Sequence, residues 1–291
     1  MNEQPMTARE AYIQASSFLR QRMIPDAAIC AELLLQHVMQ WDRSTMLLRW
    51  EEPFPQQLLS TWLQLVERKA AGEPVQYITG VQEFYGLLFQ VNPAVLIPRP
   101  ETELLVEQVI QRGNELWPLG NPKLVDIGSG SGAIPVSIAV HCPLWQVSSS
   151  DISLAALEVA RANAKLNGVA ARIYFAQSDL LESYVREQSH IDILVSNPPY
   201  IASADIDDLQ LEVKSFEPRL ALDGGEDGLT LYRRMCEQLK LLPGFPRLIA
   251  FEVGQGQTEA VSGMLAALNV WTRIEIVKDL SGIPRHVIAM E

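Results

Sequence analysis

The chain has 291 residues, 48% of them hydrophobic, and a formal net charge of −12. That length suits one large or two medium domains around a packed core. The absence of any uncharged apolar run of about 18 residues excludes a membrane-spanning helix, and the acidic balance weighs against a protein that tracks nucleic-acid phosphates. The N-terminus, MNEQPMTARE, has neither a basic start nor an apolar core region, so no signal peptide is expected. Cys30, Cys142 and Cys236 are scattered and odd in number, which points to a reducing, cytoplasmic compartment without disulfides. The histidines at 37, 141, 190 and 286 form no ligand spacing with them, so no metal is expected.

Residues 1 to 74 read as helical. Thr7-Ala-Arg-Glu10 fits a capping box opening a helix to about Arg22. Pro25 starts a second helix, with Leu33, Leu34, Leu35 and Val38 inside it. A third runs from about Pro55, with Leu58, Leu59, Trp62, Leu65, Val66 and Lys69 at helical spacing, until Gly72 and Pro74 stop it. Nothing in this small bundle carries chemistry. Residues 75 to 98 turn aromatic and β-branched around Gly80 and Gly86, which predicts a linking β-hairpin. Pro100 then opens a helix whose Glu101 and Glu103 suit its positive N-terminal end.

From residue 121 strands and helices alternate. KLVDIG is a strand, AIPVSIAVHC a helix, and WQVSSS a second strand; Ser153 caps a helix that Asn167-Gly168 ends. ARIYFA, IDILVS and RLIAFEV are further strands, and the tail gives two more around Ser281-Gly282. The alternation predicts a parallel, doubly wound sheet, and the short closing turn an antiparallel pair.

LVDIGSGSGA is a strand, a glycine-rich turn and a helix. Gly128, Gly130 and Gly132, with Ser129 and Ser131 between them, permit a tight turn and close approach of a ligand to bare backbone. With Ala133 the run also fits a dinucleotide pattern. Asp151 ends the second strand about 20 residues on, where a carboxylate grips ribose hydroxyls. That arrangement serves an NAD ribose and an S-adenosylmethionine ribose equally; the plainer, less favoured reading of Asp151 is a neighbour of the Ser153 helix cap. Asp179 is placed either to accept from an adenine amino group or to cap a helix. The serines in the loop, Asp126 upstream of it and the closing strand pair favour the methyl donor.

SNPPY, residues 196 to 200, separates the readings. Pro198 and Pro199 end the strand and hold Asn197 and Pro198 extended. The Asn197 side-chain oxygen and the Pro198 carbonyl are then two fixed acceptors for the hydrogens of a conjugated amino group, whose lone pair is left to face a sulfonium methyl. Tyr200 offers a flat face for a planar amide or base. An oxidoreductase using NAD leaves this stretch unexplained. A methyltransferase acting on adenine in nucleic acid is compatible with it, but would need a basic surface and a target-reading domain.

Together GSGSG, Asp151 and NPPY resemble the class I S-adenosylmethionine-dependent amino-methyltransferases. Within that class the chain resembles the HemK/PrmC family of protein-glutamine methyltransferases that act on peptide chain release factors. The likeness extends through GEPVQYITGVQEFYG at 72 to 86, LIPRPETE at 96 to 103, FEPRLALDGGEDGL at 216 to 229 and FEVGQGQ at 251 to 257. It implies a Rossmann-like, mostly parallel seven-stranded sheet with an antiparallel last strand in residues 99 to 291. It implies a helical domain in 1 to 74 that holds the protein partner, with the hairpin of 75 to 98 between them. It also implies that Gly128 to Gly132, Asp151, Asp179, Leu180 and Asn197 contact S-adenosylmethionine, which leaves as S-adenosylhomocysteine. Leu180 would replace an aromatic ring against adenine by apolar packing. Asn197, Pro198, Pro199 and Tyr200 would hold the glutamine amide of a Gly-Gly-Gln loop. Arg99, Glu101 and Glu103 become candidates for shaping the cofactor pocket. Neither a membrane nor direct nucleic-acid binding is implied.

Overall fold

The computed structural model describes residues 6–291 and contains two compact units. The first five residues of the expected helical domain lie outside the described residues. One unit ends at Val81 and also takes in Gln210–Phe216. It holds α1 (Ala8–Gln21), α2 (Ala27–Met39), α3 (Arg43–Leu48), α4 (Leu59–Ala70) and α5 (Val75–Thr79). The Thr7 hydroxyl accepts the Glu10 N–H while the Glu10 carboxylate accepts the Thr7 N–H, which is the reciprocal cap the sequence predicts. Ala8, Ala11, Ala15 and Leu19 lie at helical spacing on one face of α1. They pack on Cys30, Ala31, Leu34 and Leu35 of α2 and on Trp62, Leu65 and Val66 of α4.

Two helices in this unit are not expected from the sequence. In α3, capped by Asp42 accepting from Thr45, only Met46 is buried, so the six residues show no apolar stripe. In α5, residues 75–79 are helical and not the first arm of a hairpin; Gly80, at φ +78°, ends the helix. Lys69 is 2% exposed, and its ammonium is met at 2.6 Å by the Glu212 carboxylate of the 210–216 segment. That segment contains α10 (Leu211–Phe216).

The second unit begins at Gln82, within a hairpin of β1 (Val81–Phe84) and β2 (Leu87–Gln90), and continues into α6 (Pro100–Leu116). Then follow β3 (Lys123–Ile127), α7 (Ala133–His141), β4 (Gln146–Asp151), α8 (Leu154–Leu166) and β5 (Ile173–Gln177). After them come α9 (Glu182–Arg186), β6 (Ile193–Ser196), α11 (Thr230–Leu239) and β7 (Leu248–Glu252). The unit ends with α12 (Thr258–Ala266), β8 (Arg273–Lys278) and β9 (Pro284–Met290). The seven-stranded sheet has the order β5-β4-β3-β6-β7-β9-β8. Its first five strands are parallel, and β9 runs antiparallel to both neighbours, as expected. The central strands are buried on both faces, so they read as continuous apolar runs rather than alternating ones. Their side chains still alternate. Leu124, Ile193, Val195, Leu248 and Ala250 face the layer of α6, α7 and α8, while Val125, Leu194, Ile249 and Phe251 face that of α11 and α12.

From β3 the chain steps through β4 to β5 on one side and through β6 to β7 on the other. In such a sheet the crevice for a ligand lies at the carboxyl ends of the two strands where the direction reverses. Here those ends are Ile127 and Ser196, which are register partners, with the Ser196 hydroxyl donating to the Ile127 carbonyl at 2.6 Å. The glycine loop follows one end and NPPY the other. All three cysteines are free and buried. No described helix is long and apolar enough to cross a membrane.

Candidate active site

A cavity of about 270 Å³ opens at this edge. From the glycine loop it is lined by Gly128, Ser129, Gly130 and Ser131, and from the second and third strand ends by Asp151, Asp179 and Leu180. The strand end of β6 contributes Asn197, Pro198 and Pro199. Two expected site residues stand apart. Gly132 heads α7, where a Cβ would lie 3.1 Å from Ala160 Cα, so it permits close helix packing and does not face the cavity. Tyr200 is not in the lining. Its ring lies beside Gly254, and its carbonyl accepts from Gln257 Nε2 at 2.9 Å. Burial pushes the Tyr200 phenol up to about 12, so it stays protonated at neutral pH.

The glycine loop is pinned from below. The N–H groups of Gly128 and Ser129 both donate to the Ser150 carbonyl, at 2.8 and 3.0 Å. A side chain at Gly128 or Gly130 would meet no heavy atom within 4 Å, so bare backbone fronts open space there. That fits a ligand lying directly on main chain. Asp151 both lines the cavity and braces the backbone around it. Its carboxylate lines the cavity and also accepts the N–H of Gly130 at 2.9 Å and of Ser153 at 2.8 Å. Burial pushes its carboxyl above the usual range, opposed by those backbone donors. Asp179 pairs with Arg234 at 2.7 Å, and both line the cavity. Leu180 is held at φ +51°, a backbone conformation that costs a branched residue about 1–2 kcal/mol.

Several residues that hold the site were not singled out from the sequence. Asn163, fully buried in α8, donates to the carbonyls of Ser131 and Gln90 and accepts the Gln90 N–H, tying the glycine loop to β2. An asparagine on the apolar face of a helix was the available signal. Asp126 is fully buried under the loop, where burial pushes its carboxyl up to about 8. The Ser149 hydroxyl donates to it at 2.6 Å and is itself 2.5 Å from the Ser129 hydroxyl. Of the charged residues in LIPRPETE, Arg99 lines the cavity and pairs at 2.5 Å with buried Glu217. Glu103 instead accepts the Tyr85 N–H at the hairpin turn. Glu101 offers its main-chain carbonyl to His286. Neither glutamate lines the cavity; Thr102, between them, does.

The NPPY stretch sits in a rigid bed. Ile201 and Asp223 form a β-bridge, and the Asp223 carboxylate accepts from Ser203 and from the Gly225 N–H. A Cβ at Gly224 would lie 2.8 Å from both the Pro199 carbonyl and Tyr200 Cα. On the other side the Asn197 amide reaches Thr102 at 3.1 Å, and Thr102 reaches Glu252 at 2.7 Å. The site therefore places Pro198, Pro199 and a side-chain amide on the same cavity as an open glycine loop and the half-buried Asp151 carboxylate. That set suits presenting an amino group to a bound donor without a strong base.

The family model described as the PrmC N-terminal domain matches residues 10–80, and that described as the methyltransferase small domain matches residues 100–214. The chain is 40% identical over 286 residues to a release factor glutamine methyltransferase of Moorella thermoacetica, covering 98% of each. It is 39% identical over 285 residues to one of Bacillus subtilis, again covering 98% of each. Among solved structures, the N-terminal domain of human METTL16 in complex with SAH is similar with a TM-score of 0.53 and 15% identity, covering 90% of this chain and 93% of that one. At that identity the likeness shows the fold alone. Near-complete coverage at this level of identity, on a chain whose strand ends carry this geometry, shows that the protein belongs to the release factor glutamine methyltransferase family.

Proposed function

We propose that this chain methylates the side-chain amide nitrogen of the glutamine in the Gly-Gly-Gln loop of peptide chain release factors, using S-adenosylmethionine. The observation that carries the reading is the meeting of Asn197, Pro198 and Pro199 with the glycine loop and Asp151 on one cavity. S-adenosylmethionine, when bound, supplies an electrophilic sulfonium methyl and leaves as S-adenosylhomocysteine. Gly128, Ser129, Gly130 and Ser131 would hold it by bare backbone, Asp151 by its ribose hydroxyls, and Asp179 and Leu180 at the base. A carboxamide nitrogen is a poor nucleophile because its lone pair is delocalised. Asn197 Oδ1 and the Pro198 carbonyl accept its two hydrogens, which turns the lone pair toward the methyl carbon. As positive charge builds on nitrogen, the same two dipoles stabilise it without reorganising. Tyr200 backs the loop that carries these acceptors. The N-methylated cation is acidic, so its proton leaves to solvent after transfer.

Residues 1–74 are assigned to gripping the protein substrate, 75–98 to linking, and 99–291 to methyl transfer. Because release factors work on ribosomes, the enzyme is placed in the cytoplasm. No direct nucleic-acid contact is required, in keeping with the charge of −12. The deciding experiment offers tritium-labelled S-adenosylmethionine with release factor, DNA, RNA or no acceptor. Label in the release factor glutamine alone supports the reading, and label in nucleic acid with none in release factor refutes it.

A further inference from the structure

The amide of Asn197 has two chemically different ends, and only its oxygen can accept a hydrogen of a substrate amide. Something must therefore decide which end faces the cavity. Asn197 Nδ2 donates to Thr102 Oγ1 at 3.1 Å, and Thr102 Oγ1 donates to Glu252 Oε2 at 2.7 Å. Thr102 is 5% exposed and Glu252 is 1% exposed, so bulk water does not replace either partner. A threonine hydroxyl owns one proton. Once that proton is committed to the carboxylate, Thr102 Oγ1 can only accept, and what it accepts is an N–H of Asn197. The reversed amide would set two acceptors against each other in a buried place, which carries the full penalty of unpaired polar groups.

We propose that Thr102 and Glu252 are positioning residues, a one-proton relay that points Asn197 Oδ1 into the cavity where the substrate amide is held. The inference rests on the reading of Asn197 given above and deepens it. Thr102 comes from the first turn of α6 and Glu252 from the end of β7, so two elements far apart in sequence converge to set one rotor. The main chain of Glu252 is fixed as well, since the Tyr232 hydroxyl donates to its carbonyl at 2.6 Å.

The relay has a pH limit. Burial pushes Glu252 up to about 7; the Thr102 hydroxyl and the Asn197 amide oppose the shift, as does Arg285, while Glu101 adds to it. Tyr200 and Tyr232 also face Glu252, and both are held protonated by burial. His286, its register partner on β9, is held down to about 4 by burial and is neutral. Below about 7 Glu252 gains a proton and can donate to Thr102. The threonine proton is then free to turn toward Asn197, and the reversed amide becomes acceptable.

The test uses the full-length chain and three measurements: kcat and KM for methylation of release factor, Kd for S-adenosylmethionine by calorimetry, and the side-chain amide resonances of Asn197 in nitrogen-15 spectra across pH. Thr102→Val and Glu252→Gln are expected to lower kcat roughly 10- to 100-fold, the usual scale for losing an outer support of an active group. Kd should change little, and Thr102→Ser should restore most of the loss. The Asn197 resonances should titrate near neutral pH in the native chain and stop doing so in Glu252→Gln. If Thr102→Val does not fold, Thr102→Ala gives the same reading. Normal kcat in both variants, no rescue by serine, or Asn197 resonances indifferent to Glu252 would each overturn the relay. If the native chain transfers no methyl to release factor, the functional reading fails instead, and the resonances still decide whether the relay exists.

Discussion

The carboxylate of Asp151 holds the N–H of Gly130 at 2.9 Å, so the residue expected to grip a ligand is also a strut of the loop that would carry it. The structure shows the strut, and it leaves the same carboxylate at the cavity. Replacing Asp151 with alanine should therefore weaken S-adenosylmethionine binding by about 1–3 kcal/mol, the scale for hydrogen bonds to a charged acceptor. Part of that loss comes from a loosened Gly130. Calorimetric titration with a circular dichroism control checks it, and unchanged affinity in a folded variant removes Asp151 from the site.

Asn197→Ala should cost roughly 100- to 1,000-fold in turnover on release factor, as for one preorganised transition-state dipole. Donor affinity should move much less. Asn197→Asp looks milder from sequence alone, because a carboxylate still accepts a hydrogen bond. The structure argues otherwise. An aspartate presents a second acceptor to Thr102, whose proton is already given to Glu252. It also puts a second carboxyl beside a buried one. At pH 8 the aspartate variant should be no better than the alanine variant, measured by single-turnover methyl transfer.

The strands themselves and the two loops were legible because each had a local cause. Buried parallel strands read as apolar runs, Ser153 and Thr7 cap as their side chains dictate, and two prolines can only end β6. The supports of the site were not legible, since they depend on pairs far apart in sequence. Thr102 and Glu252 are separated by 150 positions, and Arg99 and Glu217 by 118. Each stands in a distinctive stretch, LIPRPETE, FEPRL or FEVG, but within LIPRPETE the sequence alone marks out the charged side chains and not the threonine. Burial decides which side chain is used, and burial is a property of the packed sheet. The same holds for Glu212, whose partner Lys69 lies 143 residues away and brings the 210–216 segment into the helical unit.

Gly224→Ala should disable the enzyme without unfolding it. The added Cβ would meet main-chain atoms of Pro199 and Tyr200 at 2.8 Å, closer than such atoms approach, and neither is the free end of a side chain. The NPPY stretch must then shift, carrying the Pro198 carbonyl with it. Overpacking of this kind costs about 1–3 kcal/mol in stability. A positional error in an acceptor pair should reduce kcat by about 100-fold. Thermal melting and steady-state kinetics on the same preparation separate the two effects; a variant with native kcat would show that the bed around NPPY is not rigid.

Asp126 is fully buried beneath the glycine loop, with Oδ1 lacking a partner among the described residues. Burial is the main cause of its rise to about 8; the Ser149 hydrogen bond opposes it, and the nearby Asp151 charge adds to it. An aspartate in the unfolded chain titrates near 4. Between those two values the folded chain keeps a proton that the unfolded chain has lost. Stability from this residue therefore falls as pH rises through that window, by at most about 1.4 kcal/mol per pH unit, and levels off above it. Asp126→Asn removes the titration while keeping the size. The variant leaves an amide donor at the unpartnered position, so it should be the less stable protein at pH 5. That disadvantage should shrink steadily and can reverse by pH 9. Urea unfolding of both proteins at pH 5, 7 and 9 gives the difference, in which every other titrating group cancels. A difference that is flat across this range, or that grows with pH, would show that Asp126 is already ionised in the folded chain at pH 5.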